Sequence, residues 1–333
     1  MLPILSVLGA TPTRNTTHFT YWCLGNCDSD ATPTPSGGTI LMGGGTDVDD
    51  AYKQQITWSG GGDYLVLRAH GDDAYNPYIY AFGGAHSVAT LLTKDRAAGD
   101  DAFVVDRIDH AEALWFAGGD QWVYLQEWQG TKMQQAIQRA IARGVPIGGT
   151  SAGCDVQGEY IYSAAEGSVY SEDALRDPFD KRITLQNHSF VDHPLILGSV
   201  LTDTHFVTRD RMGRLVAFLA RLWKEGHKAT AIGIDEQTAI AIDAKGHGKM
   251  LRLAGGGGGR AYVVSPGKPA ERCEKGEDLV YDGLAVQKLD AAEGDTFDFV
   301  SMSGGRASQR YNISARGGAL EPDDRSDDPY APP

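Results

Sequence analysis

Residues 144–158 read GVPIGGTSAGCDVQG, and the reading of this stretch decides the fold. Gly144 closes a helix-like segment, and Val145-Pro146-Ile147-Gly148 reads as a short buried strand. Gly149-Thr150-Ser151-Ala152-Gly153 then has the pattern G-x-S-x-G. In that pattern a sharp strand-to-helix turn lifts a serine hydroxyl above the sheet edge. Small neighbours let the backbone turn tightly and let a substrate approach. The N–H of Ala152 would face the space in front of Ser151, where an oxyanion could sit. The competing reading is a glycine-rich turn with an incidental serine. The strand before it and the helix-compatible run after it weigh toward a nucleophile.

Outward from this elbow, strands and helices alternate. Gly38–Met42 reads as the first core strand, followed by Gly43-Gly44-Gly45 and a helix capped by Thr46-Asp47 that runs to Trp58. The triple glycine is not the dinucleotide fingerprint, because G-x-G-x-x-G and its acidic partner are missing. Tyr64–Ala69 and Val88–Thr93 are further strands, and Ala113–Ala117 is a buried strand ending at Gly118-Gly119-Asp120-Gln121. Asp120 is a natural N-cap, and the helix start beside two glycines offers unpaired N–H groups to an anion. Thr131–Arg143 is amphipathic, with Met133, Ile137 and Ile141 on one face. This alternation predicts an α/β fold: a mostly parallel sheet with helices on both faces, its site at the carboxyl ends of the strands.

Beyond the elbow, residues 163–183 read as a polar loop or lid, and Leu195–Thr202 as a strand ending at Asp203-Thr204-His205-Phe206. Arg209, Arg211 and Arg214 crowd the start of the next helix, where the helix dipole and their mutual repulsion oppose them. A solvated face with Asp210 as partner is one reading, and a clamp for a substrate carboxylate is the other. Ala231–Ile234 and Thr238–Asp243 read as strands around Asp235-Glu236-Gln237, which has the look of a hairpin turn. The domain boundaries expected are an irregular N-terminal extension over 1–36, a catalytic α/β domain over 37–245, a β-rich antiparallel appendage over 246–316, and a disordered acidic, Pro-rich tail over 317–333.

The 333 residues carry a net charge of −14, which argues against nucleic acid as a partner. With 41% hydrophobic residues and no apolar run near the ~20 residues of a membrane span, no membrane partner is expected. Cys23 and Cys27 lie close enough in sequence to form a small disulfide, and Cys154 reads as a packing residue. No Cys/His spacing suits zinc, so no metal or other cofactor is expected. The N-terminal MLPILSVLGATPTR lacks a basic segment, and Asn15, Asn187 and Asn312 are sequons that matter only in a secreted protein. A cytoplasmic location is favoured over secretion.

A serine nucleophile needs a base within hydrogen-bond reach and a group to orient that base. His205 follows a strand and is the best-placed of the histidines; His188, His193 and His247 sit in polar or glycine-flanked segments. Glu236 is the favoured acid, and Asp203 stays open. A fallback in α/β-hydrolase order joins Ser151 to Asp203 or Asp235 and His247, as an esterase. A non-catalytic binding or sensor domain is the remaining alternative.

Four pieces, FAGGDQ at 116–121, GGTSAG at 148–153, DTHFVTRDRMGRL at 203–215 and GIDEQTAI at 233–240, together resemble the cyanophycinase and dipeptidase E family of serine peptidases. The resemblance covers roughly residues 38–245. It implies a class I glutamine-amidotransferase-like (flavodoxin-like) sandwich and metal-free hydrolysis of aspartyl peptides, including the β-Asp-Arg polymer cyanophycin. Carried over by motif, Ser151 is nucleophile, His205 base and Glu236 orienting acid, with Gly119 and Ala152 as the oxyanion hole. Gln121, Asp203, Thr204, Arg209, Arg211 and Arg214 would bind the substrate. Members of the family often form homodimers. Thr204 stands where the family's cyanophycinases usually carry glutamine, and Cys154 where a small alanine is typical.

Overall fold

Five strands that run parallel, in the order Ser87–Thr93, Asp63–Arg68, Ala113–Phe116, Ile147–Thr150 and Thr39–Met42, form the centre of an eleven-stranded sheet. The computed structural model describes residues 13–193, 198–323 and 328–330. The central strands are buried on both faces, and their side chains alternate between two cores. Leu65, Leu67, Leu114 and Phe116 face the helices Ala102–Asp109, Gln121–Trp128 and Lys132–Ala142. Tyr64, Val66, Ala113 and Trp115 face the helix Asp49–Trp58. Each large side chain buried this way contributes roughly 1.5–3 kcal/mol of transfer free energy. The buried Gln55 ties this helix to the sheet, donating to Leu114 O at 2.9 Å and to Pro146 O at 3.1 Å.

The parallel centre is extended by antiparallel strands. Thr238–Ile242 pairs with Thr39–Met42, and His247–Arg252 pairs with Thr238–Ile242. A second sheet has six strands, in the order Val200–Asp203, Thr230–Ile234, Arg260–Ser265, Tyr281–Asp290, Gln309–Arg316 and Ala319–Pro322. Its first pair is parallel and the others are antiparallel. Leu41, Ile240 and Ile242 of the large sheet meet Ile232, Ile234 and Val263 of the smaller one in one apolar layer. The helix Met212–Lys224 packs on the smaller sheet through Leu215, Phe218, Leu219 and Leu222.

Several expectations need correction. The segment before residue 36 is not wholly outside the fold: Phe19–Gly25 pairs antiparallel with Ser87–Thr93 over seven residues. The Thr- and Pro-rich residues around it concealed a strand that seats Phe19 and Tyr21 in the core. Cys23 and Cys27 are joined by a disulfide at the end of this strand. The triplet Asp235–Gln237 is not a hairpin turn, because the strands it joins lie in different sheets. The first long helix begins at Asp49 after Val48, and no side chain caps it. The polar stretch 163–183 contains a helix, Ser171–Arg176. The strand expected over Leu195–Thr202 spans Val200–Asp203, and residues 194–197 lie outside the described residues, as does the N-terminal segment 1–12. In the tail, Ala319–Pro322 is a strand and Tyr330 is buried, so the described part is ordered; 324–327 and 331–333 lie outside the description. No helix among the described residues is long and apolar enough to cross a membrane.

Candidate active site

Ser151 sits between the strand Ile147–Thr150 and the short helix Ala152–Asp155 with φ 52° and ψ −124°. A non-glycine residue at positive φ is uncommon and costs free energy, so packing must hold it there. Two glycines make the turn sterically feasible. A Cβ at Gly153 would lie 2.1 Å from Phe116 O, and one at Gly149 would lie 2.3 Å from Gly153 O. Ser151 N donates to Met42 O at 3.0 Å, which anchors the turn to the neighbouring strand.

His205 and Glu236 arrive from the smaller sheet. Ser151 Oγ lies 2.7 Å from His205 Nε2, and His205 Nδ1 lies 2.6 Å from Glu236 Oε1. These residues are 54 and 31 positions apart in the chain. With Nδ1–H donated to the carboxylate, Nε2 is left free to accept the serine proton. The His205 side chain is 9% exposed. Burial pushes its pKa below the ordinary histidine value; the Glu236 hydrogen bond opposes this, and the Arg209 and Arg211 charges reinforce it.

The triple glycine at 43–45 belongs to this site, which the sequence reading missed. His205 N donates to Gly43 O at 2.8 Å, and Gln237 N donates to Gly44 O at 2.9 Å. Gly44 has φ +99°, and a Cβ there would lie 2.4 Å from the imidazole. The signal was available: three consecutive glycines at the carboxyl end of a central strand leave room for side chains from another element.

A cleft of about 290 Å³ opens in front of Ser151, lined by Gly119, Gln121, Thr204, Arg209 and Arg211 among others. Asp120 caps the helix Gln121–Trp128 by accepting from Trp122 N at 2.9 Å. Ala152 opens the nucleophile's helix, and its side chain packs into the core. The three arginines differ. Arg214 is 2% exposed and grips Asp203 through Nε at 2.8 Å and Nη2 at 2.5 Å. Arg211 donates to Thr204 O at 2.8 Å and reaches Asp203 at 3.4 Å. Arg209 lines the cleft and makes no ion pair with a carboxylate among the described residues. Asp203 is buried and accepts from Arg214, from Arg211 and from Thr204 N, so it braces the cleft wall.

Asp155 was not anticipated. It lines the cleft, accepts from Thr204 Oγ1 at 3.0 Å through Oδ2, and has no partner at its buried Oδ1 among the described residues. Burial and the nearby Asp203 push its pKa up to about 7, against the pull of Arg211 and Arg214. The fallback constellation does not assemble. The His247 side chain is 63% exposed and pairs with Asp243, and Asp235 accepts from Val207 N, Thr208 N and Thr208 Oγ1. His188 and His193 lie apart from the cleft, in a separate pocket with Asn187 and Asp192. No cluster of three or more metal-ligating side chains occurs among the described residues.

The profile of peptidase family S51 matches residues 80–249, about half of the chain. The chain belongs to peptidase family S51. This S51 chain is 26% identical over 215 residues to a cyanophycinase of Geminocystis herdmanii, covering 63% of the chain and 70% of that relative. It is 31% identical over 188 residues to a cyanophycinase of Synechococcus elongatus, covering 55% of the chain but 51% of the relative. The match therefore spans only about half the length of the second relative. Among solved structures, a peptidase from an acI-B1 actinobacterium shares the fold, with a TM-score of 0.52 and 16% identity over 80% of this chain and 98% of that one.

Proposed function

We propose that this S51 member is a serine peptidase that cleaves aspartyl peptide bonds through an acyl-enzyme. The observation that carries the reading is the unbroken hydrogen-bond relay from Ser151 Oγ through His205 to Glu236. A relay of this geometry serves nucleophilic acyl transfer, because each member corrects a deficiency of the one before it. The substrate class is supported by Arg209 at the cleft, which has no carboxylate partner among the described residues and suits a substrate carboxylate, and by the cyanophycinases among the relatives.

In this mechanism Ser151 Oγ attacks the carbonyl carbon while His205 Nε2 takes the hydroxyl proton. Glu236 holds the Nδ1–H and offsets the charge of the imidazolium. The oxyanion accepts from the N–H groups of Gly119 and Ala152. Collapse of the intermediate breaks the C–N bond, and His205 returns its proton to the leaving amine. A water then gives its proton to His205 and attacks the ester. The acid departs and Ser151 recovers its proton.

The test is a panel of cyanophycin, α-aspartyl dipeptides, isoaspartyl dipeptides and dipeptides without aspartate, with Ser151→Ala as control. The expected result is hydrolysis of at least one aspartyl substrate, reduced by roughly a thousandfold or more in the variant. Turnover undiminished in Ser151→Ala would refute the mechanism. Hydrolysis confined to non-aspartyl peptides would refute the substrate class.

A further inference from the structure

The loop that carries His205 is fastened by the far end of the chain. Between the strand Val200–Asp203 and the helix Met212–Lys224, two non-glycine residues take left-handed backbone, His205 at φ 48° and Asp210 at φ 47°. Such residues persist only where their surroundings hold them. The start of the helix adds a second demand, because its first N–H groups have no partner within the helix. Its N-cap position is Arg211, whose side chain makes no capping bond.

Tyr330 meets both demands. Its hydroxyl accepts from Met212 N at 2.8 Å, across 118 residues of sequence, and donates to Asp210 Oδ1 at 2.9 Å. Its ring stands edge-on to Phe206, the neighbour of His205, with centroids 5.7 Å apart, and to Tyr262 at 5.6 Å. The backbone of this short segment is held in turn: Tyr262 donates to Tyr330 O at 2.9 Å and Tyr311 to Pro329 O at 2.6 Å. Tyr330 is itself buried. Burial and the Asp210 carboxylate together raise the phenol's pKa, although the Met212 N–H pulls the other way, so the hydroxyl stays protonated and can donate.

We infer that Tyr330 is a positioning residue for the site: it clamps the Asp210 corner between Arg209 and Arg211 and, through Phe206, the backbone of His205. The inference rests on the proposed reading of Ser151 as a nucleophile served by His205. It assigns a role to a C-terminal segment to which neither the elbow nor the arginine motif points. Tyr330 touches no substrate; it acts through the loop.

Tyr330→Phe is the informative variant, because it keeps the ring contacts and removes both hydroxyl bonds. Two readouts on the full chain separate the alternatives. The first is backbone amide exchange over 204–213, with the strand Asp63–Arg68 as an internal control. The second is the rate at which a fluorophosphonate modifies Ser151, measured from pH 5 to 9. The expected result is faster exchange over 204–213 alone, with modification slowed roughly tenfold at an unchanged midpoint of thermal unfolding. Unchanged exchange would overturn the clamp. Faster exchange with an unchanged modification rate and pH profile would overturn the positioning role and leave Tyr330 merely structural. If the wild-type protein and Ser151→Ala are equally unreactive while Tyr330→Phe still loosens the loop, the nucleophile reading fails and the clamp stands. Tyr330→Ala removes the ring as well and is expected to exceed Tyr330→Phe in both readouts.

Discussion

Replacing Asp155 with asparagine should remove a pH-dependent weakness from the folded state. Asp155 is 4% exposed, and its Oδ1 has no hydrogen-bond partner among the described residues. Burial and Asp203 raise its pKa from the ordinary aspartate value to about 7. Between about pH 4 and 7 the native state therefore keeps a proton that the unfolded chain has lost. The stability contributed by that proton is fully present below the ordinary aspartate pKa and is lost progressively as pH rises to about 7. The slope is about 1.4 kcal/mol per pH unit for one proton, so the total across this window is on the order of 4 kcal/mol. The Asp155→Asn side chain has the same shape and no charge to bury. Urea unfolding of both proteins at half-unit steps from pH 5 to 8.5 measures the difference. The gap between them should move in favour of Asp155→Asn by roughly 3 kcal/mol from pH 5 to pH 8. Parallel stability curves across the whole range would refute the argument that the Asp155 proton is linked to folding.

Three further outcomes follow from the same geometry. Gly44→Ala places a methyl group where the imidazole of His205 now lies, at a backbone φ of +99°; fluorophosphonate modification of Ser151 should fall by roughly a hundredfold, and a rate within twofold of wild type would refute the steric role. The modification rate should fall on the acid side below the ordinary histidine pKa, because His205 must be neutral to act as base and burial lowers its pKa. Arg209→Ala removes a cation that helps to lower it, so the acid limb should move upward in pH; a fixed limb would count against Arg209 as part of the His205 environment.

The central α/β layer was legible because its signals are local. The strands Asp63–Arg68 and Ala113–Phe116 hold short apolar runs bounded by glycine or charge, and Lys132–Ala142 has a single apolar stripe. Ser151 was legible for the same reason, since the glycines that permit its turn lie two residues away on either side. His205 and Glu236 came into view through their place at strand ends and through a family resemblance. What stayed hidden was long-range. The strand Phe19–Gly25 is itself largely apolar, FTYWCLG, but it lies in a stretch rich in Thr and Pro, and nothing local announces its pairing with Ser87–Thr93. Asp235–Gln237 looks like a hairpin because both flanking strands are apolar. Nothing local says that they belong to different sheets, and that separation is what carries Glu236 across to His205.

The arginines make the same point at the level of a single motif. Spacing alone treats Arg209, Arg211 and Arg214 as one cationic group. Their place in the fold turns Arg214 inward to Asp203, where two charge-assisted bonds occupy its fork, and leaves Arg209 beside the cleft. A buried pair of this kind is costly to break, because removing one partner strands the other charge in the interior. Loss of binding in an Arg214 variant would therefore report collapse of the wall as readily as loss of a ligand contact. Arg209 is free of that ambiguity. Thr204 and Asp155 are likewise joined, because the hydroxyl of one donates to the carboxyl of the other. Thr204 is thus bound to an acid in the cleft whose pKa is pushed up to about 7. The two positions form a single hydrogen-bonded unit, and substituting either one alone alters the environment of both.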